Sequence, residues 1–150
     1  HSYSAAGYYT VTVTVTDSIG ETASDSVTIN IQQVATSMTL KITQGVTEYN
    51  GSYYTVNGNT LTMQAQLLYG NFGIRYQTIY FYVNNTPVAH AMTDESGTAT
   101  ASWTVNTTGQ LSIYAYYQGA SGYAPATSNT VTVNAVSPLS VTNISVQAVS

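Results

Sequence analysis

His1 and His90 are the two imidazoles of this chain, and Asp17, Glu21, Asp25, Glu48, Asp94 and Glu95 are its six carboxylates. These are the side chains that could move protons or hold a metal. The histidines fall in separate segments, so they do not make a metal site. His1 is expected to pack or hydrogen-bond near a turn. His90 alternates with Val88 and Met92 and is expected to be a satisfied, partly buried histidine. Asp94 and Glu95 are neighbours in Asp94-Glu95-Ser96-Gly97, where Asp opens a tight turn and Gly closes it. Their side chains diverge, whereas an acid–base pair needs carboxylates that converge across a cleft. Asp17, Glu21 and Asp25 flank one hairpin loop and form a candidate Ca²⁺ cluster, but their spacing matches no calcium-binding loop. Serine and threonine are abundant, yet there is no G-x-S-x-G elbow, no histidine placed to activate a nucleophile and no glycine loop for phosphate. The absence of cysteine excludes disulfides, thiol catalysis and thiolate metal sites. The expectation is a chain without catalytic residues, cofactor or metal.

Two other residue types carry possible chemistry. Asn50, Asn84, Asn106 and Asn143 each open an N-x-S/T sequon. Chance supplies about three in so Asn-, Ser- and Thr-rich a chain, so their positions matter more than their number. Asn50, Asn84 and Asn106 fall on predicted turns, where a glycan is tolerated; Asn143 falls in a predicted strand. Tyrosine, with 14 residues, is in excess. Tyr53-Tyr54, Tyr80/Tyr82 and Tyr116/Tyr117 place rings on outward as well as inward faces. Three readings are open: a neutral strand former replacing charged residues, contact area for protein partners, or a platform for carbohydrate.

The elements that must position these residues are all strands. No stretch sustains a helical apolar period, and β-branched residues dominate. Residues 8–16 and 25–32 read as a hairpin around Asp17–Gly20. Tyr9, Val11, Val13 and Val15 alternate with threonines along it, as do Val27, Ile29 and Ile31. Gln33–Thr36 is a short connector. Met38, Leu40 and Ile42 form the inward set of the next strand. Leu61, Met63, Ala65 and Leu67 follow, then Ile79, Phe81 and Val83, then Ala99, Ala101, Trp103 and Val105. Leu111, Ile113, Ala115 and Tyr117, with Val131, Val133 and Ala135, complete the core. Turns are expected at 49–52, 57–59, 84–87, 94–97 and 106–109, and loops at 69–73 and 118–128. Short strands closely spaced by turns are the signature of a sandwich. After Ser137-Pro138, Leu139, Val141, Ile144, Val146 and Ala148 begin a further strand pattern. Two strands alone are marginal in water, so residues 1–32 are expected to be part of something larger.

Charged residues are 5% of the chain and net charge is −4. Lys41 and Arg75 alone cannot make the basic stripe that nucleic acid requires. No apolar run reaches spanning length, so no membrane insertion is expected in this segment. Acid unfolding comes largely from protonating carboxylates that are paired in the native state. A chain with few carboxylates and fewer cations has little to lose at low pH, which suits an exposed, acidic or hot setting.

Two families share these patterns. His1-Ser2-Tyr3, Gly7-Tyr8-Tyr9-Thr10-Val11-Thr12-Val13-Thr14-Val15-Thr16-Asp17 and Asp25-Ser26-Val27-Thr28-Ile29 resemble the second half of a PKD domain, with its pattern H-x-Y…G-x-Y-x-V-x-V-x-V-x-D. The first half of that family's pattern, with its tryptophan, is missing. The stretch from Val88 to Trp103, followed by Gly109-Gln110-Leu111-Ser112-Ile113-Tyr114-Ala115-Tyr116-Tyr117-Gln118-Gly119, resembles bacterial or archaeal Ig-like domains of the tandem-repeat type. The resemblance implies Greek-key sandwiches in arrays on secreted or cell-surface proteins, acting as spacers, adhesive modules or building blocks. It also implies a tyrosine corner at Tyr9, with Leu111 in the equivalent place of the second unit, where the corner is then absent.

The resulting expectation is an all-β fold: an Ig-like Greek-key β-sandwich with partial β-sandwich segments at both ends. Residues 1–34 are half of a PKD-like sandwich, 35–136 the Ig-like sandwich, and 137–150 a linker and first strand of a further domain. The expected function is a non-catalytic building block of an extracellular surface layer or filament, as found on archaeal surfaces. Its partners would be copies of itself or neighbouring domains of one long chain, with glycans as a further candidate. The alternative is a spacer or glycan-binding accessory module of a large secreted hydrolase.

Overall fold

A computed structural model describes residues 7–120 and 122–138. His1, the sequon at Asn143 and the strand expected after Pro138 lie outside the described residues. All elements are strands: β1 Gly7–Thr16, β2 Thr22–Ile31, β3 Ser37–Gln44, β4 Thr47–Tyr49, β5 Ser52–Val56, β6 Thr60–Tyr69, β7 Phe72–Gly73, β8 Thr78–Val83, β9 Thr86–Met92, β10 Thr98–Thr104, β11 Gly109–Tyr117, β12 Ala126–Thr127 and β13 Val131–Val136.

β1 and β2 form a two-stranded sheet of their own, in antiparallel register from Gly7↔Ile31 to Thr16↔Thr22. Period 2 sorts the hairpin into two faces. Thr10, Thr12, Thr14, Ser24, Ser26 and Thr28 share one; Tyr9, Val11, Val13, Val15, Ala23, Val27 and Ile29 share the other, with Asp25 opposite Val13 as the one charged residue among them. β2 begins three residues earlier than its apolar alternation indicates. Asp17 Oδ1 accepts hydrogen bonds from the N–H groups of Ile19 and Glu21, both at 2.9 Å. This closes the turn early enough for Thr22 to pair with Thr16.

From residue 37 two sheets face each other. One has the order β10-β6-β3, with β7 paired to the end of β6. The other runs β4-β5-β13-β11-β8-β9, with β12 paired to β11. The chain changes sheet between β3 and β4, between β5 and β6, between β7 and β8, and at both ends of β10. β13 returns beside β5 in parallel, with Val133 opposite Tyr53. This is the Greek-key order of an immunoglobulin-like sandwich. The inward sets expected from alternation fill the space between the sheets. Leu61, Met63, Ala65, Leu67, Ile79, Phe81, Leu111, Ile113, Ala115 and Val133 are wholly excluded from solvent, with Trp103 and Ile42 packed at the margin.

The turns refine the expected boundaries. Asn84 (φ 49°) and Asn85 (φ 66°) make a two-residue turn, so Thr86 and Pro87 belong to β9 rather than to the turn. Pro87 is tolerated because β9 is an edge strand, next to a bulge at Phe81/Tyr82. Asn50 and Gly51, both at positive φ, turn β4 into β5, a pairing the sequence reading missed. The stretch 69–73 is a tight hairpin, in which Tyr69 faces Phe72. The stretch 118–128 contains β12, and the connector is tied to it: Val34 N–H donates to Gly122 O at 2.7 Å and Ala124 N–H to Val34 O at 2.9 Å.

Side chains complete the backbone bonding where ladders stop. The Leu40 N–H donates to Asn129 Oδ1 at 2.8 Å, and Asn129 Nδ2 donates to Leu40 O at 3.1 Å. One amide thus stands where a neighbouring strand would stand on the open side of β3. Ser128 Oγ accepts from the Ala115 N–H at 2.8 Å and donates to Asn129 O at 2.8 Å.

At 94–97, Asp94 Oδ1 accepts from Ser96 Oγ at 2.7 Å, from the Ser96 N–H at 2.8 Å and from the Thr98 N–H at 3.0 Å. The Ser96 hydroxyl and then the two backbone donors hold this carboxyl below the ordinary value of 3.8. A lowered folded-state pKa gives stability that is present above pH 3.8 and lost as the pH falls through the lower value. The β signal in circular dichroism is expected to survive to pH 2. The melting temperature of Asp94→Ala should lie below that of the wild type at pH 7, the gap narrowing below pH 4 (about the Asp reference value). A cooperative loss of β signal before pH 2, or a gap that widens on acidification, would contradict this.

Candidate functional site

The outward face of the larger sheet carries the only dense cluster of functional side chains among the described residues. β8 and β11 are neighbours, and their register sets Tyr82 opposite Tyr114 and Tyr80 opposite Tyr116. All four rings therefore stand on one face, each half-buried against its neighbours. Tyr82 and Tyr114 are stacked, with centroids 5.1 Å apart and planes 1° from parallel. The Tyr114 hydroxyl donates to Asn85 Oδ1 at 3.3 Å. Asn85 is itself fixed by the turn, where Asn84 Oδ1 accepts from the Ser112 N–H at 2.9 Å. Beside the stack, Tyr82, Tyr114, Tyr116 and Thr127 line an open groove of about 390 Å³.

His90 faces Tyr80 across the edge, with ring centroids 6.0 Å apart at 41°. It is exposed rather than partly buried. The bulge beside Pro87 shifts the register, so that Ala89 and Ala91 take the inward positions and His90 turns out. β5, β8, β9, β11, β12 and β13 contain no charged residue, so the field over this face is that of hydroxyls, amides and ring edges.

The remaining candidates are dispersed. Asp25 pairs with Val13, well along the ladder from the turn that holds Asp17 and Glu21, so the three do not converge. No group of three or more His, Asp or Glu side chains among the described residues could hold a metal. Tyr117 points inward: its hydroxyl donates to Gln77 Oε1 at 2.8 Å, and burial, then the nearby Tyr123, push its pKa up against the opposing Ala120 backbone bond. Asn50 sits exposed at the β4–β5 turn. Asn84 and Asn106 border a recess of about 240 Å³ floored by Trp103 and Val88. Tyr80 and Tyr82 were legible as an outward pair. Tyr114 was not, because its place in the cluster depends on the register of two strands distant in sequence.

Strand order, register and core define this chain as carrying an immunoglobulin-like β-sandwich. No protein family matches the chain, and no curated protein matches it. Among solved structures it is similar to the solution NMR structure of the CARDB domain of PF1109 from Pyrococcus furiosus, with 17% identity and a TM-score of 0.41, over 71% of this chain and 98% of that domain. The assignment to the immunoglobulin-like class stands on the topology itself.

Proposed function

We propose that this chain is a non-catalytic structural segment of an extracellular surface assembly, a layer or filament, joined by strand pairing and domain stacking. One observation carries the reading. The apolar face of β1–β2 is open: Val13, Val15 and Val27 are 60%, 64% and 58% exposed. An apolar stripe along a ten-residue hairpin is stable in water only when another surface covers it. The resemblance of residues 1–34 to half of a PKD domain supports reading that cover as the other half of a sandwich, from a neighbouring domain or a second copy. The neutral, hydroxyl-rich surface and the scattered, solvent-facing Asn50, Asn84 and Asn106 fit an exposed, glycosylated setting.

The test is sedimentation of the whole chain against its Val15→Thr/Val27→Thr variant, with immunogold labelling of intact source cells. Threonine keeps the strand preference and removes the apolar contact. Association of the wild type should weaken at least about tenfold in the variant, a difference of about 1.4 kcal/mol, and label should decorate unpermeabilised cells. Labelling confined to the cell interior, or association indifferent to the substitutions, would overturn the reading.

A further inference from the structure

We propose that the groove beside the Tyr82–Tyr114 stack is a binding site for a neutral polysaccharide, one or two of whose pyranose rings lie against Tyr116. This inference goes beyond the structural role and does not rest on it.

Sugar recognition needs two things together: an aromatic face for the C–H side of the pyranose ring, and neutral donors and acceptors around its rim for the hydroxyls. The groove supplies both. The Tyr82–Tyr114 stack forms one wall. Tyr116, beside Thr127 in register, forms the other. The tyrosine phenols and the exposed Thr127 among its lining residues supply neutral hydroxyls. A volume of about 390 Å³ falls within the ordinary range for small-ligand sites, roughly 300–1,000 Å³.

Pre-organisation is the second argument. The stack is tied through the Tyr114 hydroxyl to Asn85, in a turn whose two central residues both hold positive φ. The rings are thus set before any ligand arrives, which lowers the ordering cost of binding. Charge decides between ligand classes. The strands forming this face carry no Asp, Glu, Lys or Arg, and His90 at the β9 edge is their one basic side chain, so a sulfated, phosphorylated or uronic-acid polymer finds no cluster of cations here. A protein partner is disfavoured by the same face: beyond the rings, its large exposed apolar side chains are Met92 on β9 and Val136 on β13, on strands separated by β8 and β11, whereas protein interfaces centre on an apolar core. The other outward tyrosines, such as Tyr49 and Tyr69, stand apart and offer no groove.

The experiment titrates the whole chain with neutral hexasaccharides (β-1,4-glucan, β-1,3-glucan, mannan and chitin series) by calorimetry and amide NMR. At least one should bind with a dissociation constant of about 1 mM or tighter, shifting the amides of β8 and β11. Tyr116→Ala should weaken it at least about tenfold, Tyr116→Phe by about threefold or less, and Tyr54→Ala, on the same face but on β5, not at all. Circular dichroism of each variant checks folding; if Tyr116→Ala does not fold, the decision passes to amide shifts in the wild type and Tyr116→Phe. No binding at 10 mM (about ten times the expected limit), or binding whose shifts map away from β8 and β11, would overturn the proposal. So would self-association that is lost in Tyr116→Ala without any saccharide, which would make the face a protein interface.

Discussion

Gly73→Ala is expected to destabilise the sandwich by about 3 kcal/mol or more, at the upper end of what overpacking costs. A Cβ on Gly73 would press into the Ser96 carbonyl and come within 2.7 Å of the Gly97 nitrogen. All of these are backbone atoms, and none is free to retreat. The Gly97 N–H is bonded to Asp94 O at 3.0 Å, Ser96 is held by the Asp94 carboxylate, and Gly97 O accepts from the Leu67 N–H at 2.8 Å. Leu67 is in turn fully buried on β6. The strain has no flexible side chain to absorb it, so β7 must separate from the 94–97 turn and open the core beneath Ile74. Urea melts of wild type and variant measure the effect. A melting temperature lower by about 10 °C is the expected companion, at about 4 °C per kcal/mol for a domain of this size. A loss under 0.5 kcal/mol, the range of ordinary surface changes, would show that the turn is softer than its bonding indicates.

Thr93→Val is expected to cost about 2–4 kcal/mol although it conserves shape. Thr93 is 1% exposed. Its hydroxyl donates to Ile74 O at 2.7 Å and accepts from the Gln77 N–H at 2.9 Å. Its backbone holds the same loop: Thr93 N–H donates to Gln77 O at 2.8 Å, and Tyr76 N–H donates to Thr93 O at 2.9 Å. Valine would deprive the buried Ile74 carbonyl and the part-buried Gln77 amide of the partner Thr93 supplies. Leaving buried groups unpaired costs more than the net worth of the bonds lost. Thr93→Ser keeps both bonds and loses one methyl, about 1 kcal/mol. The two variants should therefore rank with serine the more stable, and the reverse order would mean that methyl packing rather than hydrogen bonding holds this loop. Gln77 also accepts from the buried Tyr117 hydroxyl, so amide exchange across 74–77 should quicken in Thr93→Val.

The core was legible in the sequence because period 2 is local. Leu61 to Leu67, Ile79 to Val83 and Leu111 to Tyr117 were assigned inward from alternation alone, and burial follows that assignment residue by residue. Polar strand ends were not legible: Thr22-Ala23-Ser24 has no apolar rhythm, and its pairing follows from the Asp17 turn. The three-residue β4 and the two-residue β7 and β12 are too short to show any period, and are held by pairing with longer neighbours. Position on a face can also be reset by a bulge, which is why His90 turns outward. The tyrosine groove was half legible. Its residue type was evident, but its assembly depends on which strands become neighbours, and contacts between distant segments leave no local trace.

The amide of Asn129 on the open side of β3 has a consequence for how such molecules accumulate side by side. A strand arriving at β3 finds the Leu40 donor and acceptor already occupied and must displace that amide before it can add. The edge is guarded at Leu40 by this amide and at the next residue by the exposed Lys41, a residue type that commonly blunts sheet edges. Sheet-to-sheet addition at this edge therefore carries the cost of breaking two hydrogen bonds before any new ladder can form.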